Sequence, residues 1–134
     1  MIVADTNLIA YFFLTSDFSE QAEKAYQKDP YWTAPLLWRN ELRNVLAKYL
    51  RQNILTLVDA NQIMAEAEVL LHGEEYTVSS TNVLRWVANS TCSAYDCEFV
   101  ALAQDLGVQL VTMDKKVLQE FPSLAVSLEQ FVNS

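Results

Sequence analysis

Glycine and proline are scarce in this 134-residue chain, two and three residues respectively, which excludes the many tight turns of a β-sandwich and favours helices. The glycines stand only at positions 73 and 107, so neither type of glycine-rich, phosphate-cradling nucleotide loop is present. Histidine occurs once. His72, beside Gly73 and Glu74, reads as a helix-end residue favoured by the C-terminal dipole, and no nucleophile elbow accompanies it, which excludes a Ser–His–Asp hydrolase. The two cysteines, Cys92 and Cys97, lie five apart with no further ligand-like spacing; they read as reduced packing residues, neither a zinc site nor a disulfide framework. No apolar run reaches the ~18 residues that span a bilayer. The first residues show no basic stretch followed by a hydrophobic run, so a cytoplasmic protein without membrane contact is expected. Cations are also few. Nine Lys and Arg against seventeen Asp and Glu leave a formal net charge of −8, which weighs against nucleic-acid binding unless several acids are clustered and offset by bound cations.

Hydrophobic residues make up 51% of the chain, enough for a substantial core, and the absence of repeats, low-complexity tracts or linkers makes residues 1–134 one domain. Met1 to Ala4 is a short apolar run ending at Asp5 and predicts a buried strand, followed by an apolar helix from Leu8 to Phe13. Asp17 or Ser19 is positioned to cap a second helix reaching Lys28. Tyr31 to Thr33 predicts a second strand, and Pro35 suits the first turn of a helix running to Gln52, with Trp38, Leu42, Val45, Leu46 and Tyr49 on its core stripe. Further helices are expected over Leu57–Leu71, Ser80–Ala88, Ser93–Leu106 and Lys115–Phe121, with Gly73 and Gly107 as stops. Thr77–Val78, Val108–Thr112 and Ala125–Ser127 complete the strands. Short apolar strands alternating with amphipathic helices indicate an α/β domain built on a mainly parallel sheet, whose ligands sit beyond the carboxyl ends of the strands.

Asp5 and Asp114 both fall at or just past such strand ends. The ordinary use of each is a helix N-cap or turn. Asp96 stands three residues before Phe99, four before Val100 and seven before Ala103, so it points into an apolar arc formed with Tyr95, Leu102 and Leu106. Either pairing or a metal relieves a charge placed there, or the helix N-terminal dipole accounts for it. Glu41, three residues after Trp38 and four before Val45, borders the core stripe of its helix, and a salt bridge to Arg85, Lys48 or Arg43 is its plain explanation. Together the four carry more weight than singly. Converging carboxylates in low dielectric repel one another, and hard divalent cations such as Mg²⁺ relieve that repulsion.

Asp5-Thr6-Asn7, then Glu41 in an amphipathic helix, then Ala94-Tyr95-Asp96 opening a helix with Ala101-Leu102-Ala103, then Thr112-x-Asp114 after a strand, form an order that resembles the PIN-domain nucleases, and among them the VapC-type toxins of bacterial toxin–antitoxin pairs. The likeness extends over essentially the whole chain. It implies a three-layer PIN-like α/β fold with a parallel sheet of four or five strands flanked by helices. It also implies Mg²⁺- or Mn²⁺-dependent endoribonuclease activity, a homodimer and an inhibitory antitoxin partner. Carried over, it makes Asp5, Glu41, Asp96 and Asp114 the metal-binding and catalytic acids, Thr112 a polar support for water or Asp114, and Asn7 a support for Asp5. Glu98 is a candidate outer carboxylate, with surface exposure the competing reading.

Charge is where this chain departs from many nucleic-acid enzymes. Arg39, Arg43, Arg85, Lys115 and Lys116 are the candidate RNA-phosphate contacts, against ordinary solvated charge as the alternative. Two other functions fit an α/β domain with Asp at strand ends. One is a receiver-type phosphorylation switch, which needs an acceptor Asp on a central strand and a late strand-end lysine. The other is a catalytically inactive PIN-like module that binds RNA or protein.

Overall fold

Short buried strands and amphipathic helices alternate along the computed structural model, which describes residues 1–134. The strands are β1 (Ile2–Ala4), β2 (Trp32–Pro35), β3 (Glu75–Tyr76), β4 (Leu110–Thr112) and β5 (Ala125–Ser127). Every residue of β1, β2 and β4 is buried, as a strand covered on both faces requires. The five strands pair in parallel throughout, in the order β3-β2-β1-β4-β5. This is not the 2-1-3-4-5 order of receiver-type domains, and the phosphorylation-switch reading falls on topology.

The helices are α1 (Thr6–Phe13), α2 (Ser19–Lys28), α3 (Leu37–Arg51), α4 (Leu57–Leu70), α5 (Ser80–Ala88), α6 (Ala94–Leu106), α7 (Lys115–Glu120) and α8 (Leu128–Asn133). Right-handed crossovers place α1 to α4 on one face of the sheet and α5 to α7 on the other. The helix contacts follow that division: α1 meets α2 and α3, α3 meets α4, α5 lies on α6, and α8 returns onto α2. The result is the three-layer α/β architecture that the sequence implies. No helix is long and apolar enough to cross a membrane.

From β1 the chain moves outward through β2 to β3, then crosses back to β4 on the other side of β1. The direction of winding therefore reverses between β1 and β4, and a crevice opens beyond their carboxyl ends. Trp32, Trp38, Leu42, Val100 and Val111 are among the fully buried side chains that fix the surrounding helices to the sheet.

Several local expectations are corrected. Pro35 closes β2 instead of opening α3; lacking an N–H it ends the ladder with β1, whose last pair is Val3 with Thr33, while the pairing with β3 runs on to Tyr76. The minor strand is Glu75–Tyr76, not Thr77–Val78, because Ala34 N–H and Leu36 N–H donate to the carbonyls of Glu74 and Tyr76. Neither Asp17 nor Ser19 caps α2; Phe18 occupies that position, and the Ser19 hydroxyl turns back to the Leu14 carbonyl. Tyr95 leaves the apolar arc of α6 and is 63% exposed. The closing helix α8 was not expected. Ser127 caps it by accepting from Gln130 N–H, a Ser-x-x-Gln spacing legible in the sequence.

Candidate active site

The crevice at the winding reversal is a cleft of about 210 Å³ lined by Asp5, Thr6, Asn7, Glu41, Asn44, Val45, Asp96 and Asp114. The four acids singled out in the sequence thus share one wall-to-wall space, although they lie on four different segments. A roomier depression of about 400 Å³ between α7, β5 and α8 is lined by Leu118, Gln119, Pro122, Ala125, Ser127 and Gln130 and holds no ionisable group. Chemistry belongs to the smaller cleft.

Asp5 follows β1 directly. Its backbone N–H continues the β1–β4 pairing by donating to the Val111 carbonyl (3.1 Å), and its side chain caps α1 by accepting from Thr6 N–H (2.7 Å). The register that pairs Ala4 with Val111 brings Thr112 alongside, and the Thr112 hydroxyl donates to the second Asp5 oxygen at 2.6 Å. The same hydroxyl accepts from Asp114 N–H at 3.0 Å. Thr112 therefore supports the Asp5 carboxylate and the Asp114 backbone, not the Asp114 carboxylate. Asp114 caps α7, accepting from Val117 N–H at 3.0 Å. Capping and site membership coexist at both aspartates: the Asp114 cap uses one oxygen and leaves the other to the cleft, while each Asp5 oxygen accepts one hydrogen bond and keeps a lone pair for the cleft.

Glu41 enters from α3. It makes no salt bridge with Arg85, Lys48 or Arg43; its Oε1 accepts from the buried Thr6 hydroxyl at 2.7 Å, which ties α3 to the first turn of α1. Asp96 is the third helical residue of α6, its backbone N–H held by the Ser93 cap at 3.1 Å. The N-termini of α1, α6 and α7 thus all face the cleft, and their positive dipole ends offset part of its charge.

That offset is incomplete. Burial pushes the Asp5 carboxyl above its ordinary range, against the lowering by Thr112 and Thr6 N–H, with the charges of Asp96 and Asp114 adding to the rise. Burial also raises Glu41, with Asp5, Asp96 and Glu98 contributing, and Asp96, with Asp114 contributing. No Lys or Arg lies within salt-bridge distance of any of the four. Lys116 is the cation whose charge pulls Asp96 back toward its usual value.

The remaining expected residues divide. Asn7 is exposed on the cleft lining and makes no hydrogen bond to Asp5. Glu98 lines a neighbouring depression with Val78, Val83 and Ala94 and reaches the cleft only through its charge. Arg39 is committed elsewhere: its guanidinium grips Glu75 through Nε (2.6 Å) and Nη2 (2.7 Å), and Glu68 through Nη1 (2.8 Å). Arg43, Arg85, Lys115 and Lys116 are exposed without a carboxylate partner. His72 is exposed past the end of α4, and Cys92 and Cys97 are free and buried, the former thiol raised to about 12 by burial and by Glu120. Sequence reasoning missed Thr6 and Asn44 as members of the site. Asn44 stands one helical turn after Glu41, a readable spacing; Thr6 sits inside the Asp-Thr-Asn run, but nothing local names Glu41 as its partner.

Four oxygen-donor acids with no protein cation among them fit a hard divalent ion, which binds through one or two carboxylates and completes its shell with water. No three His, Cys, Asp or Glu side chains are gathered tightly enough to enclose an ion by themselves, so the cleft is not a closed metal cage.

Comparison with known proteins agrees with this architecture. The PIN domain family model matches residues 2–123. The chain is 27% identical over 126 residues to Ribonuclease VapC3 of Pyrobaculum aerophilum, covering 92% of this chain and 96% of that protein. With four of the five parallel strands, the winding reversal and the acid-lined cleft inside the matched span, the chain belongs to the PIN domain family.

Proposed function

We propose that this chain is an endoribonuclease acting with Mg²⁺ or Mn²⁺, the toxin of a toxin–antitoxin pair. The observation that carries the reading is the convergence of Asp5, Glu41, Asp96 and Asp114 on one cleft with no cationic side chain among them. Membership of the PIN domain family and similarity to a protein named a VapC ribonuclease support it. The four acids are the residues that would hold the ion. A bound divalent cation supplies Lewis-acid polarisation of the phosphodiester, a more acidic attacking water and charge compensation at the leaving oxygen.

The protein's own contribution is placement. Thr112 and Thr6 N–H hold the two Asp5 oxygens, and the Thr6 hydroxyl holds one Glu41 oxygen and leaves the other to the cleft. Asp96 and Asp114 approach from the mouths of α6 and α7, where backbone dipoles stabilise negative charge. The cleft contains no histidine, so proton movement falls to carboxylates and water. Lys116, beside Asp96, is placed to meet a substrate phosphate.

Cleavage of a labelled RNA with Mn²⁺ or Mg²⁺, compared with EDTA, tests the activity. Asp5→Asn and Asp96→Asn are each expected to reduce cleavage by at least ~100-fold, the scale on which loss of a charge-stabilising group acts. Undiminished hydrolysis in either variant sinks the mechanism. Growth arrest on inducible expression, absent with Asp114→Asn, tests the toxin role. Light scattering coupled to gel filtration tests the homodimer, and co-purification with the product of a neighbouring small open reading frame tests the antitoxin. Fractionation tests the cytoplasmic location.

A further inference from the structure

Five of the nine cations bear on how an acidic chain meets an anionic polymer, and three of them cluster on one helix. α3 carries Arg43, Lys48 and Arg51 without a carboxylate partner for any of them, while its single acid is Glu41 in the cleft. By contrast α4 carries Asp59, Glu66 and Glu68 with no cation, and α6 carries Asp96, Glu98 and Asp105 with none. Exposed basic charge without a carboxylate partner is therefore densest on α3 and on the Lys115–Lys116 pair opening α7, with Arg85 of α5 standing apart.

Helical spacing gives the segregation a direction. Asn44 lines the cleft, and Lys48 and Arg51 follow it at four and seven residues, which keeps all three on one face. All three are exposed. The stripe leads about 11 Å along the helix away from the acids, at 1.5 Å per residue. Lys116 lies in the first turn of α7, on the other face of the sheet from α3 and two residues after the cleft-lining Asp114. A polyanion lying across the cleft between these two basic positions would place a phosphate over the four carboxylates, and its flanking phosphates would meet cations on both sides.

We propose that the Asn44–Lys48–Arg51 face of α3 is an RNA-backbone track that leads substrate into the cleft. It deepens the nuclease reading, on which the identity of the polyanion as RNA rests. The track reads backbone charge and not base identity, because lysine and arginine spaced one turn apart on an exposed helix face meet phosphates without entering a groove. Its position explains how a chain of net charge −8 binds RNA: the acids are gathered where the ion belongs, and the approach on either side is basic. A different role for Lys48 and Arg51 is compensation of the dipole at the end of α3, where both lie in the last turn.

The test is RNA affinity without catalysis. Anisotropy of a fluorescein-labelled single-stranded RNA of mixed sequence is measured in EDTA, over a series of KCl concentrations, for the full chain and for Lys48→Glu with Arg51→Glu. Lys24→Glu, an exposed α2 residue, serves as the control for net charge. The α3 double variant is expected to bind at least ~10-fold more weakly, and its salt dependence to be shallower by about 1 per lost contact, while Lys24→Glu changes neither. With Mn²⁺ the loss is expected in KM and not in kcat. RNA affinity equal to wild type in the double variant overturns the track, whether its melting temperature falls, as the dipole role requires, or a protein partner is lost instead; cleavage by the wild type would still leave the nuclease reading standing. Conversely, stripe-dependent binding by a wild type that cleaves no RNA with either ion keeps the track and removes the nuclease reading.

Discussion

Thr6 is a small residue that touches two acids of the cleft. It is buried, its N–H holds Asp5 and its hydroxyl holds Glu41, so one residue sets two of the four acids. Removing the hydroxyl leaves Glu41 half-buried without its donor, and removing a partner that orients an ion ligand typically lowers metal affinity or activity by about 10–100-fold. Thr6→Val is expected to weaken Mn²⁺ binding on that scale, measured by electron paramagnetic resonance, and Thr6→Ser to restore it. Equal Mn²⁺ affinity in Thr6→Val and wild type would reduce Thr6 to a packing residue. Glu41 and Asp96 were legible beside apolar stripes; Asp5 and Asp114, which read singly as ordinary caps, became legible only in the order of all four, which resembles that of the PIN-domain nucleases. Thr6 was not, because a threonine behind a strand-end aspartate looks like any residue of a first helical turn until its partner 35 residues away is known.

Whole elements act at the next scale. α6 delivers Asp96, and its start is set by Ser93, whose hydroxyl accepts from Asp96 N–H itself. Ser93→Ala is expected to destabilise the protein by about 1 kcal/mol in urea melts and to loosen Asp96, because an uncapped first turn frays. β3 is an edge strand of two residues, held to α3 by the fork of Arg39 on Glu75. The Arg39 guanidinium holds the Glu75 carboxyl below its ordinary range, with Trp38 Nε1–H assisting. Arg39→Ala is expected to cost ~1–2 kcal/mol, since it strips a charge-assisted pair from a mostly buried carboxylate, and to leave RNA affinity in EDTA unchanged. A fall in RNA affinity with stability intact would return Arg39 to the substrate path. Most element boundaries followed from periodicity and caps. The exceptions, β2 with its terminal proline and β3, depend on which neighbour supplies hydrogen bonds.

At the scale of the molecule, the chain accepts electrostatic strain in one place. Asp5, Glu41 and Asp96 all have raised pKa values, chiefly from burial, so each binds its proton more tightly folded than unfolded. Stability from these groups is fully present below the ordinary carboxylate range and is lost as pH rises through the raised values. Without divalent ions, Asp5→Asn, which keeps an oxygen for Thr6 N–H, is therefore expected to melt higher than wild type at neutral pH. The difference should close as pH falls into the ordinary carboxylate range. Mg²⁺ or Mn²⁺ is expected to raise the melting temperature of wild type, by roughly 2.7 kcal/mol of stability at a hundredfold excess over Kd, and more at pH 8 than at pH 5. A melting temperature indifferent to both ions at pH 8 would mean that the cleft does not bind them.

Composition, period and caps determined by themselves that this chain is an α/β domain on a parallel sheet. Strand and helix patterns are local: each is set by residues within a few positions of one another. The same locality put Asp5 and Asp114 at strand ends and Glu41 and Asp96 beside apolar stripes, and their order along the chain carried the family resemblance. Only the tertiary structure decided that they meet, because the meeting depends on the β1–β4 register and on the reversal of winding between those strands. It also decided that Thr112 serves Asp5, that Thr6 holds Glu41, and that Arg39 is spent on Glu75. Those pairings join residues 35 to 107 positions apart, and no periodicity within a segment specifies a partner at that distance.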